Sequence, residues 1–159
     1  MTVSRIEQLA RDIVVAKLAS ADELKGCTTE EIDELQRKFL VTLPETYVEW
    51  LKAMGRGAGK FLEGSDAFFP TLLELREGAE ELLAENKSEL VLPQDAFVFL
   101  MHQGYQFLYF RTAQPDPDPQ VSHYLEGKGL SQPWNHLSDY FQQVLADHIR
   151  IAAELAKYK

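Results

Sequence analysis

The chain has 159 residues, of which 45% are hydrophobic, and it carries 25 acidic against 16 basic residues for a net charge of −9. This length and apolar content predict one compact domain over residues 1–159, and the negative charge disfavours binding to nucleic acid or anionic lipid. No apolar run approaches the roughly twenty residues that span a bilayer, and the N-terminus lacks the apolar centre of a signal peptide. The sequence therefore predicts a cytoplasmic protein.

Two capping-box patterns predict the first two helices. Ser4 and Glu7 open an amphipathic helix that we expect to reach Leu18, and Thr28 and Glu31 open a second, shorter one. Both helices present apolar residues at three- and four-residue spacing, which predicts that each packs one side on the body of the domain.

A third helix follows Leu43-Pro44, because proline suits the first turn of a helix and holds the preceding residue extended. Its predicted apolar face consists of Tyr47, Val48, Leu51 and Met54, with Trp50 off the centre of that face. Gly55 is expected to take the left-handed conformation that ends many helices. Gly57 and Gly59 then predict an irregular, glycine-rich loop.

The centre of the chain predicts a fourth helix and then a change to strands. Apolar residues recur at helical spacing before Asn86, and they are Leu75, Ala79, Leu82 and Leu83. The segments 96–102 and 105–111 are rich in aromatic and branched residues and are separated by Gln103-Gly104, which predicts an antiparallel hairpin. A third strand is expected over 121–126.

Two loops and a long final helix complete the chain. The three prolines of residues 114–119 predict a stiff, projecting loop, and residues 127–133 predict a second loop that leads to Trp134. The final helix is expected over 138–157. Together these elements predict an α+β fold, in which a mainly antiparallel sheet is flanked by helices, with helices at the N-terminus and a long C-terminal helix.

Several patterns that could carry chemistry have simpler structural interpretations. The loop from Gly55 to Lys60 leaves a helix and runs into Phe61, whereas a phosphate-binding loop joins a strand to a helix N-terminus. Cys27 lies among acidic residues that discourage a thiolate. Asp116 and Asp118 alternate as at the start of a calcium loop, but the later glycine and glutamate are missing. We therefore expect no catalytic residue, no metal and no cofactor.

The four histidines follow the same interpretation. His102, His123, His136 and His148 show no metal-ligand spacing. His102 and His123 lie on predicted strands and could face each other, and His148 falls on the apolar side of the last helix. Structural histidines with satisfied hydrogen bonds are the simplest interpretation.

One motif and the order of elements resemble a known family. The helix Leu43-Pro44-x-x-Tyr47-x-x-Trp50-Leu51, its glycine-rich exit, the strand pair and the closing Leu137-Ser138-Asp139-Tyr140-Phe141 segment resemble the SUKH superfamily, which includes fungal cell-wall synthesis regulators and bacterial immunity proteins. The resemblance covers about residues 28–145 and leaves the first helix as an N-terminal addition. It implies helices packed on an antiparallel sheet and no shared catalytic set.

The resemblance implies a non-enzymatic protein that binds another protein, and for bacterial members a cognate toxin encoded nearby, often a nuclease. The charge of the chain agrees, since residues 63–95 hold nine acidic and two basic residues, a local charge of −7 that can match the basic groove of a nuclease. Two alternatives remain open. One is an intracellular regulatory or scaffolding module that binds another protein, and the other is an enzyme with an unrecognised site.

The candidate contact residues are acidic or aromatic groups on predicted loops, where binding residues concentrate. They are Glu63, Asp66, Asp116, Asp118 and Trp134. We expect alanine at these positions to lower the affinity for a protein partner and to leave the thermal stability nearly unchanged.

Overall fold

The computed structural model describes residues 3–158, and within them the predicted α+β fold is confirmed. The helices are α1 (Arg5–Val15), α2 (Thr29–Phe39), α3 (Glu45–Met54), α4 (Leu75–Glu85) and α5 (Leu137–Ala156). The strands are β1 (Leu24–Lys25), β2 (Gly57–Ala58), β3 (Ser65–Asp66), β4 (Ala96–His102), β5 (Gln106–Arg111), β6 (Val121–Leu125) and β7 (Gly129–Trp134).

The N-terminal helices begin where the sequence predicts. Ser4 Oγ accepts a hydrogen bond from the Glu7 N–H at 3.1 Å, and Thr28 and Glu31 form the reciprocal capping box that starts α2. The first helix ends at Val15 and not at Leu18, because Lys17 adopts a left-handed conformation with φ of 61°. Leu18 is nevertheless buried, as its apolar spacing predicts.

Helix α3 lies at the centre of an aromatic core. Pro44 precedes its first residue with φ of −64°, and the helix buries Tyr47, Trp50, Leu51 and Met54. Trp50 is not peripheral, since it is 1% exposed and stacks on Phe141 with ring centroids 5.2 Å apart. Stacked and edge-to-face aromatic pairs of this kind add about 0.5–1.5 kcal/mol each beyond the area they bury.

The glycine-rich segment after α3 differs from the prediction. Gly55 has φ of −65° and ψ of −12°, a right-handed conformation, and the left-handed residue is Gly59 with φ of 60°. Gly57 and Ala58 are not irregular, because they form β2 and pair with β1. The Arg56 N–H also donates to the Lys25 carbonyl at 2.8 Å. This pairing ties the end of α3 to the segment before α2.

The main sheet has the antiparallel order β3-β4-β5-β6-β7. The predicted hairpin is β4 and β5 with its turn at Gln103-Gly104, and the predicted third strand is β6. The expectation of a loop over 127–133 was wrong, since most of that segment forms β7. Pro133 is tolerated there because β7 is an edge strand and Pro133 lies where the register of its pairing with β6 shifts.

A β-bulge sets which side chains of β4 share a face. Val98 pairs with Tyr109 and Leu100 pairs with Leu108, so Phe99 is an extra residue in β4. Paired residues of antiparallel strands share a face. Phe97, Leu100 and His102, which pair with alternate residues of β5, therefore lie on one face, here called the front face.

Helices cover both faces of the sheet. The front face packs on α3 and α5, through contacts such as Tyr47 with Phe110 and Tyr140 with Phe99. The back face carries Met101 and is covered by α4 at Gly78, where a Cβ added to the glycine would lie 2.9 Å from the Met101 sulfur. Glycine at this position lets the helix approach the sheet closely.

Residues 114–117 are exposed, as in the predicted projecting loop, but the segment 114–119 is anchored to two helices and so does not project freely. The Pro117 carbonyl accepts from the Thr46 N–H at 3.0 Å, at the start of α3. Asp118 accepts from the Ser138 N–H at 2.9 Å and from the Ser138 hydroxyl at 2.5 Å, at the start of α5. His136, the residue before α5, gives no side-chain cap, so Asp118 satisfies a free helical N–H from a distant part of the chain.

Candidate functional site

A cleft of about 270 Å³ opens on the front face, between the sheet and α5. Its apolar surfaces come from Leu100, Leu108 and Val144, and its polar groups come from Glu63 before β3, from strands β3 to β6 and from α5. The sheet supplies one wall because Leu108 pairs with both Leu100 and His123, so these side chains share the front face. Tyr140, Val144 and His148 follow at four-residue spacing and supply the wall from α5.

Two histidines of the sheet are held by neutral hydrogen-bond partners. His102 Nδ1 lies 2.9 Å from the Ser65 hydroxyl of β3, and His123 Nε2 lies 2.7 Å from Gln106 Oε1 of β5. Burial lowers the pKa of His123, so its imidazole is neutral at pH 7. Because Gln106 Oε1 accepts from Nε2–H, Nδ1 of His123 is a hydrogen-bond acceptor.

The third histidine joins α5 to the segment before β3. The Leu62 N–H donates to His148 Nε2 at 3.2 Å, and the imidazole lies against the Phe61 ring with centroids 5.6 Å apart. A backbone N–H can only donate, so His148 is neutral and carries its proton on Nδ1. Burial lowers the pKa of His148, while the carboxylates of Asp147 and Glu63 act in the opposite direction.

Two aromatic residues complete the cleft. Trp134, at the end of β7, is half-buried and meets Tyr140 edge to face at 4.8 Å between ring centroids. Tyr140 is 7% exposed, and within residues 3–158 its hydroxyl has no hydrogen-bond partner. A tyrosine hydroxyl in this position usually bonds to protein or to water.

The structure brings together some of the predicted contact residues. Glu63 is exposed and Trp134 half-buried, and both line the cleft, while exposed Asp66 lies on the neighbouring edge strand β3. Asp116 is exposed on a separate surface beside the start of α3. Asp118 is half-buried against α5. The positions of Asp66 and Trp134 on strands differ from the predicted loops.

The histidines are placed partly as predicted. His102 and His123 lie on the same face of the sheet and are satisfied by hydrogen bonds, but to Ser65 and Gln106 and not to each other. A histidine that acts as a general base is often oriented by a hydrogen bond to a carboxylate. In the described part of the chain, neither His102 nor His123 has such a bond. Within residues 3–158 no group of three or more His, Cys, Asp or Glu side chains could hold a metal ion.

Three members of the cleft were not predicted, although the sequence contains a signal for two of them. Gln106 is the polar member of the alternation that continues with Leu108 and Phe110 on β5. Tyr140 lies one helical turn before Val144 and two before His148. Ser65 gave no signal, because β3 has only two residues.

The glycine-rich loop and the cysteine have structural roles. Arg56 forms an ion pair with Glu31 and lies 5.2 Å from the centroid of the Phe69 ring, so it is not available to hold a phosphate. The hydrogen bond from Arg56, with the capping interaction at Thr28, lowers the pKa of Glu31 to about 2. Burial and the negative charge of Glu31 raise the pKa of Cys27 to about 11, which keeps the thiol protonated and unreactive.

The fold and the sequence define a protein-binding class of domain. The SMI1 / KNR4 family (SUKH-1) matches residues 26–143, most of the chain. The chain therefore belongs to the SMI1 / KNR4 family (SUKH-1), and with it to the SUKH superfamily, which includes toxin-immunity proteins. No protein with a curated description gives a significant match to this sequence. Across residues 3–158, none of the helices combines the length and the apolar character needed to cross a membrane.

Proposed function

We propose that this protein is a non-enzymatic immunity protein, which neutralises a toxin of basic surface by covering its active site. The toxin is encoded beside it, and a nuclease is the best-matched class because a nuclease needs a basic groove to hold phosphate. Membership of the SMI1 / KNR4 family supports the protein-binding role, and the net charge of −9 supports a basic partner.

The proposal rests mainly on one observation, which is that exposed acidic side chains lie beside the cleft on the front face of the sheet. Glu63 stands at the cleft and Asp66 on the adjacent edge strand, both exposed and with no ion pair in the described chain. Trp134 adds an aromatic surface of the kind that dominates binding energy in interfaces. Asp116 is exposed on a separate surface beside the start of α3, and half-buried Asp118 caps α5, so these two residues are candidate contacts outside the cleft.

A second acidic region lies on the opposite side of the sheet. Of the six glutamates between residues 74 and 89, Glu80 alone forms an ion pair within residues 3–158, with Arg76. Glu81 is exposed on α4, which covers the back face, and it provides a control of the same charge away from the cleft. If substitutions beside the cleft weaken binding and the substitution on α4 does not, the partner makes a specific contact at the cleft and is not held only by the overall negative charge.

The experiment measures binding of the purified protein to the product of the adjacent gene. We expect a stable complex whose association rate falls steeply as salt is added, because steering between charged surfaces is screened. Glu63→Gln and Asp66→Asn should weaken the complex, whereas Glu81→Gln should have little effect. A complex that forms at a salt-independent rate would contradict the claim that opposite charges speed association. A partner that is not a toxin would favour the regulatory or scaffolding alternative.

A further inference from the structure

The cleft beside α5 has the chemistry of a site for a cation. Among the described residues that line it there is no lysine or arginine, and Glu63 is the only carboxylate. His148 is neutral, because its Nε2 accepts the Leu62 N–H, and burial disfavours the charged form of His123 by lowering its pKa. The cleft therefore presents a negative charge at its edge with no fixed positive charge to balance it, so it repels anions and attracts cations.

The polar atoms in the cleft include acceptors that lack a donor. In the neutral imidazole, which burial favours, His123 Nδ1 is an acceptor because Nε2 carries the proton donated to Gln106. The Tyr140 hydroxyl, on a side chain that is 7% exposed, has no hydrogen-bond partner in the described chain. These two groups and the Glu63 carboxylate line the same cleft. A ligand that supplies several N–H groups would satisfy them together.

The size and the aromatic wall restrict the ligand further. A volume of about 270 Å³ lies just below the roughly 300–1,000 Å³ of most small-molecule sites, which suits a single long side chain. Trp134 is half-buried and offers an indole surface at the same place. A planar guanidinium stacks on such a surface, is more weakly hydrated than an ammonium and carries five N–H donors.

We propose that the cleft receives one arginine side chain of the partner protein, with its guanidinium against Trp134 and hydrogen-bonded to the Glu63 carboxylate. This inference rests on the proposed function, and it adds the chemical identity of the group that the partner inserts. The Tyr140 hydroxyl and His123 Nδ1 accept the remaining N–H groups. Arginine anchors in desolvated pockets are among the side chains that contribute most to binding in protein interfaces.

The cleft can be tested without the partner, by titrating the full-length protein with N-acetyl-arginine methylamide and following the indole N–H resonances by NMR. The chain has two tryptophans, so buried Trp50 serves as an internal reference for Trp134. We expect the Trp134 signal to shift and to saturate. The neutral analogue N-acetyl-citrulline methylamide should bind about tenfold more weakly, because charge-assisted hydrogen bonds are stronger than neutral ones.

Two variants test whether the preference for the arginine probe arises in the cleft. Glu63→Gln, an exposed and conservative change, should abolish most of the preference for the arginine probe over the citrulline probe, and Glu81→Gln should leave it unchanged. The proposal is overturned if Trp134 does not respond at the highest soluble concentration of the arginine probe, or if both probes bind alike. It is also overturned if Glu63→Gln leaves the preference intact.

The arginine site and the immunity role can fail independently of each other. If the protein binds its toxin with the same affinity after Glu63→Gln, the toxin-binding role stands and the arginine site is wrong. If no toxin is bound but the arginine probe selectively shifts Trp134, the cleft is a cation site and the immunity role is wrong.

Discussion

His148 accepts a hydrogen bond from the backbone N–H of Leu62, which lies 86 residues earlier, and so it joins α5 to the segment that leads into the sheet. Protonation of His148 would turn Nε2 into a second donor that faces this N–H. The bond therefore exists only with a neutral imidazole. Asp147 on the same helix, Glu63 before β3, His102 on β4 and Asp12 on α1 are the titratable groups around it.

The first prediction is that acidification destabilises the protein through His148. Its pKa in the folded state lies below the value of about 6.5 expected for the unfolded chain, so the unfolded state binds more protons. The free energy of unfolding should fall as the pH drops below that value. His148→Gln, whose side-chain carbonyl can accept the Leu62 N–H, should make the free energy of unfolding less dependent on pH. Urea unfolding curves recorded at several pH values above and below about 6.5 measure this dependence.

His136 provides a control of opposite sign. Its hydrogen bond to the Asp118 carbonyl, helped by the carboxylates of Asp118, Asp139 and Asp116, raises its pKa. Its contribution to stability is therefore present below the unfolded pKa and is lost as the pH rises through the folded value. His136→Gln should steepen the decline on acidification, although only slightly because the side chain is exposed. The same slope change for both variants would contradict the assignment.

The second prediction concerns the cap that Asp118 supplies to α5. Asp118→Ala removes the acceptor for both the Ser138 N–H and its hydroxyl, and Ser138 is buried. We expect a loss of about 1–2 kcal/mol in the free energy of unfolding, which is typical of a lost helix cap. Asp116→Ala, two residues earlier, removes only an exposed hydrogen bond from the Asp118 N–H to Asp116 Oδ1, so it should destabilise less than Asp118→Ala. Chemical denaturation of both variants tests the contrast.

This result would also qualify the use of alanine at the contact residues. The sequence predicts that all five changes leave stability unaffected, but the hydrogen bonds of Asp118 make it an exception. A loss of partner affinity in Asp118→Ala has to be compared with the loss in Asp116→Ala. An unchanged stability of Asp118→Ala would show that the cap contributes nothing.

The third prediction concerns the close contact between the β1 segment and the end of α3. A Cβ added at Gly26 would overlap the carbonyl oxygen of Lys52, a backbone atom that cannot move aside alone. Gly26→Ala should therefore destabilise the fold by about 3 kcal/mol or more. Gly57 lies in the partner strand β2, where the nearest atom to an added Cβ is 3.8 Å away, so Gly57→Ala should be tolerated. Thermal unfolding of the two variants gives the comparison.

The fourth prediction is a stabilising substitution. Leu40 ends α2 in the left-handed conformation with φ of 54°, and its side chain is 91% exposed. Glycine adopts this conformation without steric cost, so Leu40→Gly should raise the free energy of unfolding by about 0.5 kcal/mol. Val15→Gly is the matched control, because Val15 is 80% exposed but helical. There the change should destabilise by a few tenths of a kcal/mol, because glycine is less favourable in a helix than valine. Stabilisation by both changes would refute the conformational argument.

The sequence predicted the elements that have strong local signals. The capping box of α2, the helical spacing of α4 and the β4–β5 hairpin are all determined by residues close to one another in the chain. Strands β1, β2 and β3 were missed because two residues carry no period, and their pairing partners lie far away in sequence. Pro133 masked β7, since proline usually marks a loop and is tolerated only at a sheet edge.

The cleft was less predictable than the fold. His102 and His123 were predicted to lie on strands where they could face each other, but their partners Ser65 and Gln106 depend on strand order, which alternation does not specify. His148 was correctly placed as a half-buried residue of the last helix, whereas its bond to the Leu62 N–H is purely tertiary. Local pattern thus identified the kinds of side chain present, and long-range pairing decided which of them meet.

Because of the bulge at Phe99, β4 contains one residue that has no pairing partner in β5. With regular alternation from Phe97, His102 would fall on the back face, and the bulge returns it to the front. Loss of the single codon for Phe99 would restore regular pairing and keep the imidazole beside Ser65, although the aromatic contacts of Phe99 would disappear. The bulge therefore decides which face of the sheet carries His102, and its extra side chain, which is 2% exposed, contacts both Tyr47 on α3 and Tyr140 on α5.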